Sequence, residues 1–235
     1  MTRRRWIADS WTETTAALTG DQALHLARVL RAQPGQIFDV VANGFLRRAE
    51  VVSVGEREVV FTLHEELEMD AALPVHLLMA VFKFDHLEWG LEKATELGVA
   101  RVTPVIARRT EKHLALAAVK RVERWRKIAR EAAQQSRRSD VPVVDDPVVL
   151  KLALGPVEAA TKLLLAETEQ ENSLRAALEA GADNVALAIG PEGGWASEEM
   201  KLFADAGWKP VTLGPRILRA ETAAIAGLAV CAAWL

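Results

Sequence analysis

VALAIGPEGGW (185–195) and LGPRILRAETAAIAG (213–227) decide how this chain is read. In each, a buried strand is predicted to end in a Gly/Pro loop that then enters a helix. Such a junction leaves backbone N–H and C=O groups free to grip a small polar ligand. Gly190, Gly193 and Gly194 let the backbone approach a ligand closely, and Pro191 stiffens the turn while removing one donor. Leu213, Gly214 and Pro215 form the second loop, with Ile217 and Leu218 as apolar surface beside it. Together the loops can enclose a flat heteroaromatic ring with backbone hydrogen bonds at its edge. Arg219, Glu221 and Thr222 stand together at the start of the last helix. Each also has an ordinary reading: a surface arginine, a first-turn carboxylate favoured by the helix dipole, and a small residue near an N-terminus. Glu192 serves equally as a turn cap or a ligand contact.

Outward from these loops, strand and helix patterns alternate from Val75 onward. The runs VHLLMAVF, VTPVIA, KLLLAE, VALAIGP and KPVTLGP predict five strands. Between them lie HLEWGLEKATELGV, AAVKRVERWRKIAREAAQQSRR, SLRAALEAG and SEEMKLFADAG, which predict helices. In the second of these, Val119, Val122, Trp125, Ile128 and Ala132 recur at helical spacing as an apolar seam. Gly98, Gly181 and Gly207 fall at helix ends, and Ser197 followed by Glu198 and Glu199 reads as an N-cap with an acidic first turn. This alternation predicts an α/β layer with a mostly parallel sheet. The first ~70 residues differ. IFDVVA, FLRRAEVVSV and EVVFTL are strand-like and separated by Pro34-Gly35, Asn43-Gly44 and Gly55-Glu56 turns. One helix, Asp21 to Arg31, is predicted with a stripe of Leu24, Ala27, Val29 and Leu30. Short strands with one helix suggest a small barrel. EELEMDAALP (65–74) reads as a linker, giving expected domains of 1–70 and 74–235.

The chain has 235 residues, half of them apolar, enough for a real core. A single cysteine, Cys231 in AVCAAWL, excludes a disulfide framework and favours a reducing, cytoplasmic location. MTRRRW carries no apolar segment of a secretory signal, and the longest apolar run, 223–235, is too short for a membrane span. Net charge is −3, but its distribution is uneven. Lys120, Arg121, Arg124, Arg126, Lys127, Arg130, Arg137 and Arg138 face only Glu123 and Glu131, a local net charge of +6. Arg3, Arg4, Arg5, Arg28 and Arg31 form a second basic group. Two basic groups on an acidic protein point to an anionic polymer rather than to solvated faces alone. The five histidines are scattered, so no metal site is expected. G-x-S-x-G, Walker A and an early G-x-G-x-x-G turn are absent, which disfavours a serine hydrolase, an NTPase and a dinucleotide oxidoreductase.

RRRW (3–6), HLARVLR (25–31), EKATELGV (92–99), KRVERWRKIAREAAQQSRR (120–138), AIGPEGGW (188–195) and LGPRILRAETA (213–223) span nearly the whole chain. With these motifs it resembles the SPOUT superfamily of knotted methyltransferases and, within it, the bacterial 16S ribosomal RNA uridine-N3 methyltransferases. Departures are small: Trp6 and Trp195 stand where the family often has Phe, and Arg137 follows QQS directly. The resemblance implies an N-terminal PUA-like β-barrel that helps to hold RNA, and a C-terminal α/β domain tied in a trefoil knot. It also implies a homodimer that uses S-adenosylmethionine. Carried onto this chain, the cofactor cleft is Leu165, Ala166 and Glu167, then Ile189, Gly190, Glu192, Gly193 and Gly194, then Leu213, Gly214, Ile217 and Leu218. The expected target is a uridine of small-subunit rRNA.

For that reaction Arg219 is expected to bind the uracil oxygens or a nearby phosphate, with Glu221 as base and Glu192 as the other candidate. Arg3, Arg4, Arg5, Arg28, Arg31, Arg137, Arg138 and Thr222 are assigned to the RNA. Leu228, Cys231 and Trp234 are candidates for a dimer contact. The competing readings are a knotted methyltransferase acting on ribose 2′-oxygen and a non-enzymatic ribosome-assembly RNA binder.

Overall fold

The computed structural model describes residues 5–179 and 182–235, so Arg3, Arg4 and Gly181 lie outside the described residues. The chain divides into two compact units, one of residues 1–71 with 133–141 and one of 72–132 with 142–235.

The first unit contains β1 (Trp6–Ile7), β2 (Ser10–Trp11), β3 (Thr15–Thr19), α1 (Gly20–Leu24), β4 (Ile37–Ala42), β5 (Phe45–Val54) and β6 (Glu58–Glu66). They form one sheet of order β1-β4-β5-β6-β3-β2. β1 pairs parallel with β4, and all other pairs are antiparallel. Asn43 and Gly44, at φ 53° and 78°, join β4 to β5. Only residues that tolerate positive φ close so tight a hairpin in the hand that matches strand twist. Two register shifts in the β5–β6 pairing, at Arg47/Ala49 and Val51/Ser53, bend the sheet around Trp6, Leu18, Leu26, Val40, Val59 and Phe61.

The predicted helix 21–31 is corrected. After α1 the chain continues as one π-helical segment, His25–Val29. The wider winding turns the apolar stripe away from the expected face: Ala23 and Leu26 are buried, whereas Leu24, Val29 and Leu30 are exposed. The linker is also shorter than expected, because β6 runs to Glu66 and the next strand starts at Leu73. The segment 133–141 is held in this unit by side-chain bonds. Gln134 donates to Gln22 at 2.8 Å, Arg5 donates to the Arg137 carbonyl, and Ser139 donates to the Asp70 carbonyl at 3.5 Å.

The second unit contains β7 (Leu73–Ala80), α2 (Phe84–Glu96), β8 (Val99–Ile106), α3 (Lys112–Gln135, of which the part to Ala132 belongs here), β9 (Val143–Val144) and β10 (Val148–Val149). It continues with α4 (Leu150–Leu154), β11 (Thr161–Leu165), α5 (Leu174–Glu179), β12 (Val185–Ile189), α6 (Ser197–Asp205), β13 (Lys209–Val211) and α7 (Ala220–Trp234). The sheet order is β10-β8-β7-β12-β11-β13, with β9 also on β8, and every pair is parallel. A parallel sheet covered on both faces needs strands without polar alternation, and all five residues of β12 are buried. Gly98 and Gly207 take positive φ after α2 and α6, as their places at helix ends predict.

Two other expectations change. The buried seam of α3 is Ala118, Val122, Trp125, Ala129 and Ala132, whereas Val119 is 61% exposed. Ser197 is the first residue of α6 rather than its cap; Ala196 caps, and the Glu199 carboxylate closes back on the Ala196 N–H. On α7, Leu228 and Cys231 are buried within the unit, so of the three dimer candidates only Trp234 retains an exposed ring. Burial pushes the Cys231 thiol up to about 12, which keeps it protonated and inert.

His76 on β7 donates to Thr103 Oγ1 at 2.7 Å, and Thr103 donates to Asp145 at 2.5 Å. Arg101 grips the same carboxylate with two bonds of 2.8 and 2.9 Å. Burial, helped by Arg101 and opposed by Asp145, lowers the His76 pKa from 6.5 to about 4. Burial disfavours ionised Asp145, but the bonds from Arg101 and Thr103 outweigh it and hold the carboxyl below its ordinary value. In the unfolded chain His76 takes a proton near its ordinary value; in the folded chain it does not. Stability is therefore lost as pH falls from about 6.5 to about 4, by up to roughly 3 kcal/mol. Melting temperatures at pH 7.5 and 5 should show a smaller acid loss for His76→Gln than for the natural chain; an equal loss would clear His76 of this role.

Candidate active site

The parallel sheet places the two diagnostic loops side by side. Leu164 is opposite Ala188 of β12, and Leu165 is opposite Val211 of β13, so the C-terminal tips of β12, β11 and β13 lie at one end of the sheet. Neighbouring strands are about 4.8 Å apart, which puts the β12 and β13 tips roughly 10 Å apart with β11 between them. Ala166, at the β11 tip, donates to the Val211 carbonyl at 3.2 Å. Leu165–Glu167, Ile189–Gly194 and Leu213–Leu218 are therefore brought to one edge, the crevice where open parallel sheets bind ligands.

The first loop is shaped by packing. Gly194 donates to the Pro191 carbonyl at 2.8 Å and takes φ 69°. A Cβ at Gly190 would stand 3.2 Å from Nε1 of Trp195, whose indole is anchored edge-on to Phe203 and thence to Trp208. Glu192 and Gly193 are exposed. In the second loop, Gly214 at φ 120° donates to the Thr212 hydroxyl at 3.2 Å. Leu213 and Leu218 are half-buried, and Gly214 and Ile217 are exposed. Among the described residues the amides of Arg216, Ile217 and Leu218 donate to no protein acceptor. Free amides, glycines without Cβ and two apolar side chains suit the edge and faces of a purine.

Arg219 is the exposed N-cap of α7 and Thr222 is exposed beside it. Glu221 is different: it is 4% exposed, Oε1 lies 2.8 Å from Nδ1 of His86 on α2, and among the described residues Oε2 has no hydrogen-bond partner. Its backbone sits against Gly90, where an added Cβ would be 3.5 Å from Glu221 Cβ.

Sequence reasoning missed three residues here. His86 is one of the five scattered histidines, to which the sequence assigns no role. Glu199 accepts from Ala196 at 2.9 Å and from Arg108 at 2.8 Å, tying the first loop to the segment after β8. Arg109 donates to the Gly193 carbonyl. The E-x-x spacing from Ala196 could have marked Glu199 as a reciprocal cap. Nothing local marks His86 or Arg109.

The assigned cations are largely engaged. Arg121 and Arg124 converge on Glu88 of α2, at 3.1 and 2.8 Å. Arg126 bonds Glu123, Asp146 and the Val144 carbonyl, and Lys127 faces Glu131. In the first unit Arg138 pairs with Asp140 at 2.5 Å and its side chain is nearly buried, Arg5 is bound as above, and Arg28 pairs with Glu56 at 2.7 Å. Arg31 and Arg137 are exposed, both at positive φ. The +6 stretch thus ties α3 to its surroundings more than it forms a bare cationic stripe. Among the described residues no group of three or more His, Cys, Asp or Glu could hold a metal ion, and no helix is long and apolar enough to cross a membrane.

Residues 69–232 match the RNA methyltransferase domain family, and residues 18–63 match the RNA methyltransferase PUA domain. The chain belongs to the RNA methyltransferase family. It is 35% identical to the ribosomal RNA small subunit methyltransferase E of a Synechocystis species, over 92% of this chain and 72% of that protein. The namesake protein of Bacillus subtilis is 33% identical, over 91% of this chain and 88% of its own length. A Legionella pneumophila protein described as a methyltransferase, solved with bound cofactor SAM, superposes with a TM-score of 0.87 at 29% identity, covering 99% of this chain and 98% of that one. A ribosomal RNA small subunit methyltransferase E from Neisseria gonorrhoeae, bound to S-adenosyl methionine, gives 0.83 at 27% identity, covering 97% and 96%.

Proposed function

We propose that this RNA methyltransferase methylates N3 of a uridine in small-subunit (16S) rRNA, with S-adenosylmethionine held by the loops at 165–167, 189–194 and 213–218. The observation that carries the reading is the convergence of those loops at the tips of β12, β11 and β13, with Glu221 at the start of the helix that follows. The names of the relatives support the RNA class.

S-adenosylmethionine supplies an electrophilic methyl group and departs as a neutral thioether, so no general acid is required. The protein must instead remove the N3 proton of the uracil imide and stabilise charge on its two carbonyl oxygens. Glu221 takes the proton, and Arg219, exposed at the end of the second loop, holds the oxygens or an adjacent phosphate. The base is turned out of its stack to reach this edge. Insertion of β12 between β7 and β11 supports the threaded path of a trefoil knot. We also assign a homodimer, with Trp234 as its candidate contact.

The decisive experiment is nucleoside mass spectrometry of small-subunit rRNA from cells with and without the gene. N3-methyluridine should disappear with the gene; loss of a 2′-O-methyl nucleoside instead would favour ribose chemistry, and no change would leave a non-enzymatic role. RNA contacts can be tested separately. Arg137→Ala should weaken RNA binding and lower the magnitude of the salt slope by roughly 0.7–0.9, leaving cofactor affinity and melting temperature in place. Arg138→Ala should lower the melting temperature, because it removes a nearly buried side chain together with its pairing to Asp140. Equal calorimetric losses of RNA and cofactor binding in Arg137→Ala would mark it as structural.

A further inference from the structure

We infer that His86 is the positioning residue that orients Glu221 for proton removal, an inference that rests on Glu221 being the base. His86 is the third residue of α2, and its Nδ1 is 2.8 Å from Glu221 Oε1 on α7. Gly90, on the next turn of α2, packs against Glu221, where an added Cβ would meet Glu221 Cβ at 3.5 Å, an ordinary van der Waals contact. Glu221 is 4% exposed, and among the described residues its Oε2 has no hydrogen-bond partner. Donation from Nδ1–H occupies Oε1 and fixes the orientation of the carboxylate, which leaves Oε2 as the acceptor for the imide proton. In the transfer the N3–H proton moves to Oε2, the N3 electron pair forms the new bond to carbon, and the sulfur–carbon pair stays on sulfur. His86 keeps its Nδ1 proton throughout.

The charged groups that face His86 are Glu221 from α7 and, from its own helix, Asp85, whose carboxylate lies 3.7 Å from Nε2. Nε2 is on the more open side, since the imidazole is about one-third exposed while Asp85 is 79% exposed.

The test measures kcat and KM for His86→Ala and His86→Asn, each alone and combined with Glu221→Gln. His86→Ala should lower kcat about 10–100-fold with little change in KM. His86→Asn, whose amide N–H reaches the same oxygen, should retain most activity. Combined with Glu221→Gln, His86→Ala should add no further loss, because its only effect runs through the carboxylate. An unchanged kcat in His86→Ala, or an equal loss in both backgrounds, would overturn the role of His86. Near-normal turnover of Glu221→Gln alone would instead remove the base on which it stands. Should His86→Ala fail to fold, loss of turnover in a folded His86→Asn would overturn the role on its own.

Discussion

Replacing Glu221 by Gln should lower methyl transfer about 10²–10⁴-fold at saturating RNA and cofactor, the range that a positioned general base contributes. The substitution is chosen for what it leaves alone. Gln fills the same volume, and its carbonyl can still accept from Nδ1–H of His86, so the α2–α7 contact stays in place. What it removes is the second carboxylate oxygen, Oε2, which meets no protein donor in the buried site. The loss should therefore appear in kcat and not in KM, with an unchanged melting temperature. Glu221→Ala would be less informative, because it also opens a cavity between the helices and strips His86 of its partner. Near-normal turnover of the Gln variant would take the base assignment away from Glu221.

The second large effect is on stability and cofactor binding together. Glu199→Ala removes a 6%-exposed carboxylate that accepts from two backbone amides, Ala196 at 2.9 Å and Arg108 at 2.8 Å. Hydrogen bonds to a charged group contribute about 1.5–3 kcal/mol each, and the orphaned amides add a desolvation cost. A loss of about 3–5 kcal/mol should follow, which for a chain of this size lowers the melting temperature by roughly 10 °C. The same bonds fix the exit of the 190–195 loop, so affinity for S-adenosylmethionine should fall in parallel. Glu199→Gln should sit between the two, because one amide keeps an acceptor and the other meets an NH₂ group. An unaltered melting temperature in Glu199→Ala would show that the loop is held by its aromatic anchors alone.

What the sequence made legible follows from the range of each interaction. The apolar runs that became β7, β8, β11, β12 and β13 were readable because strands largely buried on both faces carry few polar residues and no strict alternation to confuse the pattern. The hairpin at Asn43-Gly44 was readable because backbone conformation there is a local property. The two-residue strands β1, β2, β9 and β10 were not, since two residues contain no period. The stripe proposed for 21–31 failed at the π-helical segment, where 3.6-residue spacing no longer predicts the facing side. The loops at 189–194 and 213–218 were visible as Gly/Pro punctuation. Their supports were not: His86 and Glu221 are 135 residues apart, and Arg108 and Glu199 are 91 apart. The partners of the basic run were hidden for the same reason, because Glu88 and Asp146 reach Arg121, Arg124 and Arg126 from elsewhere in the chain.

The residence of Ala133–Val141 in the first unit makes that unit discontinuous. Scission after Ala71 would not liberate an autonomous module, since the excised fragment would lack the nine residues that contribute Gln134 and Ser139 to its interior. The remaining fragment would in turn carry an orphaned helix end. Fragment exchange between relatives must therefore graft 133–141 together with the N-terminal residues, or both halves inherit mismatched surfaces.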